Sequence, residues 1–198
     1  MKALETKTYK RLSTLNVKDN KPEWLVIHHS GGTDVNPLAD TSNHTAAIIE
    51  DWHINGMGWE GIGYHFVIQK DGSIYRGRPE LYHGAHTPAV NAKSIGICLT
   101  GNFDATLPTE AQIASLRSIL KELTVKYSIP KEKVVPHRHF QNKTCYGRNL
   151  SDTWAQSLLD PEPVRPSQYE QLAACQDEVV RYKSLFETVV EKFKNFNK

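Results

Sequence analysis

The sequence predicts an α/β fold: a central mixed, mostly parallel sheet of about five strands flanked by helices, plus a separate amphipathic helix at the C-terminus. Three observations predict it. Short continuous apolar runs at 24–29, 64–69 and 94–101 have the length of strands buried on both faces. Stretches with apolar residues at helical spacing, 42–56 and 109–127, alternate with those runs, as in sheets covered by helices. Beyond a proline-rich segment, 168–198 carries a heptad pattern of its own.

Residues 1–20 are polar and end in Asp-Asn-Lys-Pro, which reads as a flexible lead-in. The run 24–29 ends in His28-His29, and because strand side chains alternate, these two point to opposite sides. In 42–56, Thr45, Ile48, Ile49 and Trp52 form an apolar face, with Ser42 or Asn43 as N-cap and Gly56 as the stop. The following loop is rich in glycine but has no Gly-Lys-Ser/Thr, so it is not a phosphate loop. Its glycines imply close backbone approach to another segment or a ligand. Asp71-Gly72 between 64–69 and 73–76 marks a hairpin. Thr109 with Gln112 fits a capping box, and Ile113, Leu116, Leu120, Leu123 and Tyr127 make one stripe. A short strand at 133–135 leads into His137, and a short helical piece around 154–159 closes the compact part.

Composition excludes some classes of function. Hydrophobic residues at 39% and charged residues at 23% are those of an ordinary globular chain, and the longest apolar runs are too short to cross a bilayer. A formal charge of +2 gives no strong electrostatic case for nucleic acid, which would want a concentrated basic face. The N-terminus has lysines but no apolar h-region, so no secretory signal peptide is expected. Three scattered cysteines, Cys98, Cys145 and Cys175, argue against a disulfide framework and for synthesis in a reducing cytoplasm.

The chemistry concentrates between His137 and Cys145. Imidazole and thiolate donors at that spacing suit zinc, but two ligands are one short of a catalytic site. Only one of His28 and His29 can serve a given site. His28, Tyr64, His137, Lys143 and Cys145 all lie at strand ends or adjoining loops, where groups distant in sequence converge. The other candidates read as structural: His44, His53 and His139 at the surface or hydrogen-bonded, Cys98 in the core, Cys175 on the helix seam. His83 and His86 fit loop structure and substrate contact equally.

Several phrases resemble the type 2 N-acetylmuramoyl-L-alanine amidases, a zinc family that includes short phage lysins and peptidoglycan recognition proteins. They are Val26-Ile27-His28-His29-Ser30, Gly63-Tyr64-His65-Phe66-Val67-Ile68, and the run from Asp71 to Arg78. His83-Gly84-Ala85-His86, the run from Asn91 to Leu99, and His137 to Cys145 complete the set, in family order over roughly 22–159. The resemblance implies zinc on His28, His137 and Cys145, with Tyr64 and Lys143 catalytic and His86 and Asn91 holding the muramyl-peptide. It also implies hydrolysis of the amide between N-acetylmuramic acid and L-alanine in bacterial peptidoglycan. One departure is Tyr146, where the family often has proline after the cysteine.

The expected organisation is a lead-in at 1–20, a zinc amidase domain at 21–160, a proline-rich linker at 161–167 and a helix at 168–198. A cytosolic muropeptide-recycling amidase would by resemblance carry aspartate as its third ligand, and a non-catalytic peptidoglycan-binding module would lack the cysteine. The expectation is therefore a phage endolysin, made in host cytoplasm and acting on the wall after release. The helix has three readings: docking on the catalytic domain, self-association, or binding to wall or membrane. Its bulky seam phenylalanines favour docking or a bundle larger than a two-stranded coil.

Overall fold

A computed structural model describes residues 2–3, 19–33, 35–161 and 168–196. The strands are β1 (Lys2–Ala3), β2 (Trp24–His29), β3 (Phe66–Ile68), β4 (Ile74–Arg76), β5 (Ser94–Leu99) and β6 (Val134–Pro136). The helices are α1 (Ala46–Asp51), α2 (Glu110–Tyr127), α3 (Trp154–Ser157) and α4 (Gln168–Phe196). The six strands form one sheet in the order β1-β4-β3-β5-β2-β6. Only β3 and β4 pair antiparallel, as the Asp71-Gly72 hairpin requires. The lead-in expected over 1–20 lies mostly outside the described residues, but Lys2–Ala3 form an edge strand parallel to β4 rather than loose chain. Of the expected linker, 162–167 lie outside the described residues.

The chain divides into two compact units, Met1–Asp160 and Pro161–Lys198. In the first, strand alternation sorts residues by face. Leu25 and Ile27 of β2, Phe66 and Ile68 of β3, and Ile95, Ile97 and Leu99 of β5 form the main core with Leu116, Ile119, Leu120 and Leu123 of α2. Each such side chain contributes about 1.5–3 kcal/mol by leaving water. The opposite face carries a smaller core of Ala46, Ile49, Ile62, Val67 and Cys98. The predicted capping box is formed: Thr109 Oγ1 accepts from Gln112 N at 3.1 Å, and Gln112 Oε1 accepts from Thr109 N at 3.1 Å.

The start of α1 differs from the expectation. Thr45, in extended conformation, is the N-cap and accepts from Ile48 N at 3.2 Å, while the Ser42 hydroxyl is engaged by Lys70. After Asp51 the chain widens into a π-turn, Trp52–Gly56. The apolar face is split between core and surface. Ala46 and Ile49 enter the small core, whereas Ile48 and Trp52 are about half exposed, at 48% and 54%.

The second unit is described by α4 alone, 29 residues long. Val179, Tyr182, Leu185, Phe186 and Val189 along it are exposed.

Candidate functional site

His28 is the fifth residue of β2, on the sheet face opposite α2. The β2–β6 register pairs Ile27 with Pro136, so the next residues, His28 and His137, are neighbours where these parallel strands end. Their ring centroids are 4.5 Å apart. Open α/β sheets characteristically place ligands in this crevice, at the carboxyl ends of the strands. His29 points the other way, accepts from Phe103 N at 3.0 Å through Nδ1, and is excluded from the crevice, as strand parity requires.

Cys145 arrives on the loop after β6. Its Sγ lies 3.7 Å from His28 Nδ1, and one donor atom from each of His28, His137 and Cys145 falls within 4.8 Å of the others. His137 Nε2 is buried and has no hydrogen-bond partner, an orphan polar atom of the kind a bound cation satisfies. Burial holds both imidazoles below their ordinary value, helped by neighbouring histidines and Lys143 at His28 and by Lys143 at His137, which lies at about 4, so both are neutral ligands at pH 7. Burial pushes the Cys145 thiol up to about 12, and a cation among these groups is what would favour the thiolate. The donor set fits zinc: two neutral imidazoles and a sulfur.

The Cys145 loop is held by a residue that sequence reasoning passed over. Arg138 donates from Nη1 to Gly147 O at 2.7 Å and to Thr144 O at 3.3 Å, and from Nη2 to Leu150 O at 2.6 Å. Its Nε reaches Asp152 at 2.5 Å, and its backbone N–H donates to Cys145 O at 2.8 Å. Asp104 holds the same loop by accepting from Thr144 Oγ1 at 2.7 Å and Arg148 N at 2.8 Å. Tyr146, in the place of the family's proline, is fully buried and donates through its hydroxyl to Ser151 O at 2.6 Å. Gly147 has φ +115°, and a Cβ there would meet Phe103.

Tyr64 stands beside the cluster, its ring centroid 5.0 Å from that of His28. Burial and the nearby Cys98 and Cys145 raise its phenol well above the ordinary range, so it remains a hydrogen-bond donor. Lys143 is exposed on the Cys145 loop, and its charge acts on His28, His137 and Cys145. A cleft of about 340 Å³ opens beside Tyr64, lined by Thr33, His44, Ile48 and Trp52 among others.

His86 and Asn91, expected to hold the muramyl-peptide, are engaged here with protein groups. His86 is buried and hydrogen-bonded to His28, and Asn91 Oδ1 accepts from His86 N at 3.0 Å and Thr87 N at 2.8 Å, closing their turn. His83 pairs with Asp19 at 2.8 Å, and His139 packs against Trp24 and Phe140. His53 is buried against Trp59, its Nδ1 accepting from Gly63 N. The glycine-rich loop approaches another segment: a Cβ on Gly63 would strike the Ala85 carbonyl.

The chain is similar to known amidases in sequence and in fold. The family model for N-acetylmuramoyl-L-alanine amidase matches residues 18–148. The human N-acetylmuramoyl-L-alanine amidase is 32% identical over 151 residues, 72% of this chain but 26% of that protein. This chain thus spans about a quarter of the human relative, and 24% of the related pig amidase. The endolysin of Enterobacteria phage T3 is 38% identical over 117 residues, covering 56% of this chain and 75% of the endolysin. Among solved structures, the N-acetylmuramoyl-L-alanine amidase LysC from Clostridium intestinale has a TM-score of 0.63 at 36% identity, covering 73% of this chain and 89% of that one. The chain belongs to the N-acetylmuramoyl-L-alanine amidase family.

Proposed function

We propose that this chain is a zinc-dependent amidase that hydrolyses the bond between N-acetylmuramic acid and L-alanine in peptidoglycan. The observation that carries the reading is the convergence of His28, His137 and Cys145, with donor atoms within 4.8 Å and an orphan nitrogen on His137. Three protein ligands are the number a catalytic zinc keeps, against four in a structural site. When bound, zinc supplies a Lewis acid that polarises a carbonyl and brings the pKa of water to about 7.

The chain's own residues supply the rest. The cleft beside Tyr64 receives the muramyl-peptide, with Ile48 and Trp52 offering apolar surface to it. The Tyr64 hydroxyl, kept protonated by burial, donates to the carbonyl oxygen as negative charge gathers there. Lys143 brings a positive charge from the exposed side of the same loop as Cys145. Arg138 and Asp104 hold that loop so that the thiol and ammonium stay in register with His28.

The reading extends to a phage endolysin, made in host cytoplasm and released onto the wall. The 38% identity to the T3 endolysin and the likeness to a clostridial amidase described as an endolysin support it. Among the described residues no helix is long and apolar enough to cross a membrane. The α4 helix is assigned to self-association. Its heptad positions Val179, Tyr182, Phe186 and Val189 are exposed, and in a parallel pairing Glu178 would face Lys183 of a second copy. Leu185 and Val190 flank the seam and widen it, which suits a bundle of more than two helices.

Zinc content measured beside clearing of a purified wall suspension tests the enzyme reading. One zinc per chain is expected in the active protein, and both zinc and clearing should vanish in Cys145→Ala. Full clearing by metal-free protein would sink the mechanism.

A further inference from the structure

Three side chains, those of His28, Thr87 and Ser94, lie within hydrogen-bond distance of the buried His86 ring. The ring lies over β5, where a Cβ on Gly96 would overlap it, and a Cβ on Gly84 would overlap it from its own loop. These two glycines thus make the space for an imidazole beside His28. The ring meets His28 edge-on, centroids 5.0 Å apart, and Nδ1 lies 3.0 Å from His28 Nε2. On its far side, Nε2 lies 3.3 Å from Ser94 Oγ, and Ser94 Oγ donates to Val90 O at 2.7 Å.

With the Ser94 proton given to Val90 O, the donors and acceptors along this chain run in one sense. The Val90 carbonyl only accepts, so the Ser94 hydroxyl spends its proton there and accepts from His86 Nε2–H. A neutral His86 with its proton on Nε2 has a bare Nδ1, which accepts from His28 Nε2–H. Thr87 Oγ1, 3.0 Å from His86 Nδ1 and 3.5 Å from His28 Nε2, can accept a share of the same His28 proton. His28 then carries its only proton on Nε2 and presents Nδ1 bare, and Nδ1 is the atom 3.7 Å from Cys145 Sγ.

We propose that His86, backed by Ser94, is a positioning residue that fixes the tautomer and ring orientation of His28 so that Nδ1 is the metal-binding atom. The inference rests on the metal-centre reading and deepens it. Outer partners of this kind orient metal-ligating histidines generally, and losing one costs about 10–100-fold in metal affinity. It also accounts for the sequence His83-Gly84-Ala85-His86 together with Ser94-Ile95-Gly96: the second phrase supplies both the proton acceptor and the gap into which the ring fits.

The test uses zinc affinity, read by competition with a chromophoric chelator, and the ring protons of His28, read by nitrogen–proton correlation spectroscopy on the zinc-loaded protein. His86→Leu removes the acceptor and is expected to weaken zinc binding roughly 10–100-fold. His86→Asn places an amide oxygen where Nδ1 stood, so its affinity should return close to that of the parent. Ser94→Ala should weaken binding by less than His86→Leu does. The spectrum should show His28 protonated on Nε2, a readout that remains decisive if the leucine variant does not fold. A parent chain that takes up no zinc would defeat the metal-centre reading. Zinc bound by the parent with equal affinity in His86→Leu, or His28 ligated through Nε2, would overturn this inference alone.

Discussion

Cys145 Sγ lies 3.7 Å from His28 Nδ1, although 117 residues separate the two along the chain. The strand order explains how. The β2 and β6 strands are parallel neighbours, so the end of one and the loop after the other open at the same edge of the sheet. A thiol and an imidazole placed there independently of any local motif are the core of the candidate site.

Removing either donor on the β6 side should empty the centre. Cys145→Ala and His137→Ala are expected to retain less than one tenth of the parent's zinc after dialysis and to lose hydrolysis, because two ligands do not make a catalytic zinc site. Elemental analysis of the dialysed proteins checks this. Stoichiometric zinc in either variant would remove that residue from the ligand set.

The groups beside the cluster should separate rate from binding. Tyr64→Phe and Lys143→Ala are expected to keep zinc while kcat falls by about 10²–10³-fold for each donor to the oxyanion. A variant whose KM alone changes would place its residue in substrate binding instead.

Arg138 predicts a loop effect. Arg138→Ala takes a donor from the Leu150 carbonyl and leaves those of Thr144 and Gly147 only their backbone N–H partners, and is expected to lower stability by about 1–3 kcal/mol. Arg138→Lys should rescue little, since one ammonium cannot reproduce a planar fork reaching several acceptors. Chemical denaturation of the three proteins measures it. Equal midpoints for lysine and arginine would show that charge alone suffices.

Much of the fold was legible, because apolar runs, an Asp-Gly hairpin and a capping box are local signals that the packing did not override. The strand parity of His28 and His29 was legible for the same reason. The choice between them, and the union of His28 with His137 and Cys145, depended on family resemblance, since nothing local states that β2 and β6 are neighbours. Arg138 and Asp104 were missed because their partners are mainly backbone groups, which carry no sequence signature. His86 fitted loop structure and substrate contact equally, and the space that buries it is made by two glycines whose role emerges only when β5 lies alongside. Trp52 was placed on one helical face with Ile49 because helical spacing does not foresee a π-turn.

Acid should weaken the first unit through Glu80. Partial burial works against its ionised form, but hydrogen bonds from Lys126 Nζ at 2.8 Å and Tyr127 Oη at 2.7 Å, with Arg76 adding to them, hold it below the usual 4.5. A depressed carboxylate stabilises fully above that value, and the contribution disappears as pH falls through the lower folded value. With allowance for solvent screening, Glu80→Gln is expected to cost about 1 kcal/mol at neutral pH. The parent should lose more stability than the variant between pH 6 and pH 3, each bound taken as approximate around the carboxylate range. Denaturation midpoints at both ends check it; parallel losses would contradict the assignment.

The α4 assignment predicts a change in mass. The full chain is expected to run as an oligomer in light scattering, while a chain ended at residue 165 runs as a monomer with its zinc retained. A monomeric full chain would remove self-association and leave docking or wall binding.

The central claim, a zinc amidase acting on peptidoglycan, is tested most directly by mass spectrometry of the fragments that zinc-loaded protein releases from purified wall. The account predicts peptides with free L-alanine amino termini and intact glycan strands. Reducing sugar ends, or cleavage within the peptide, would contradict it.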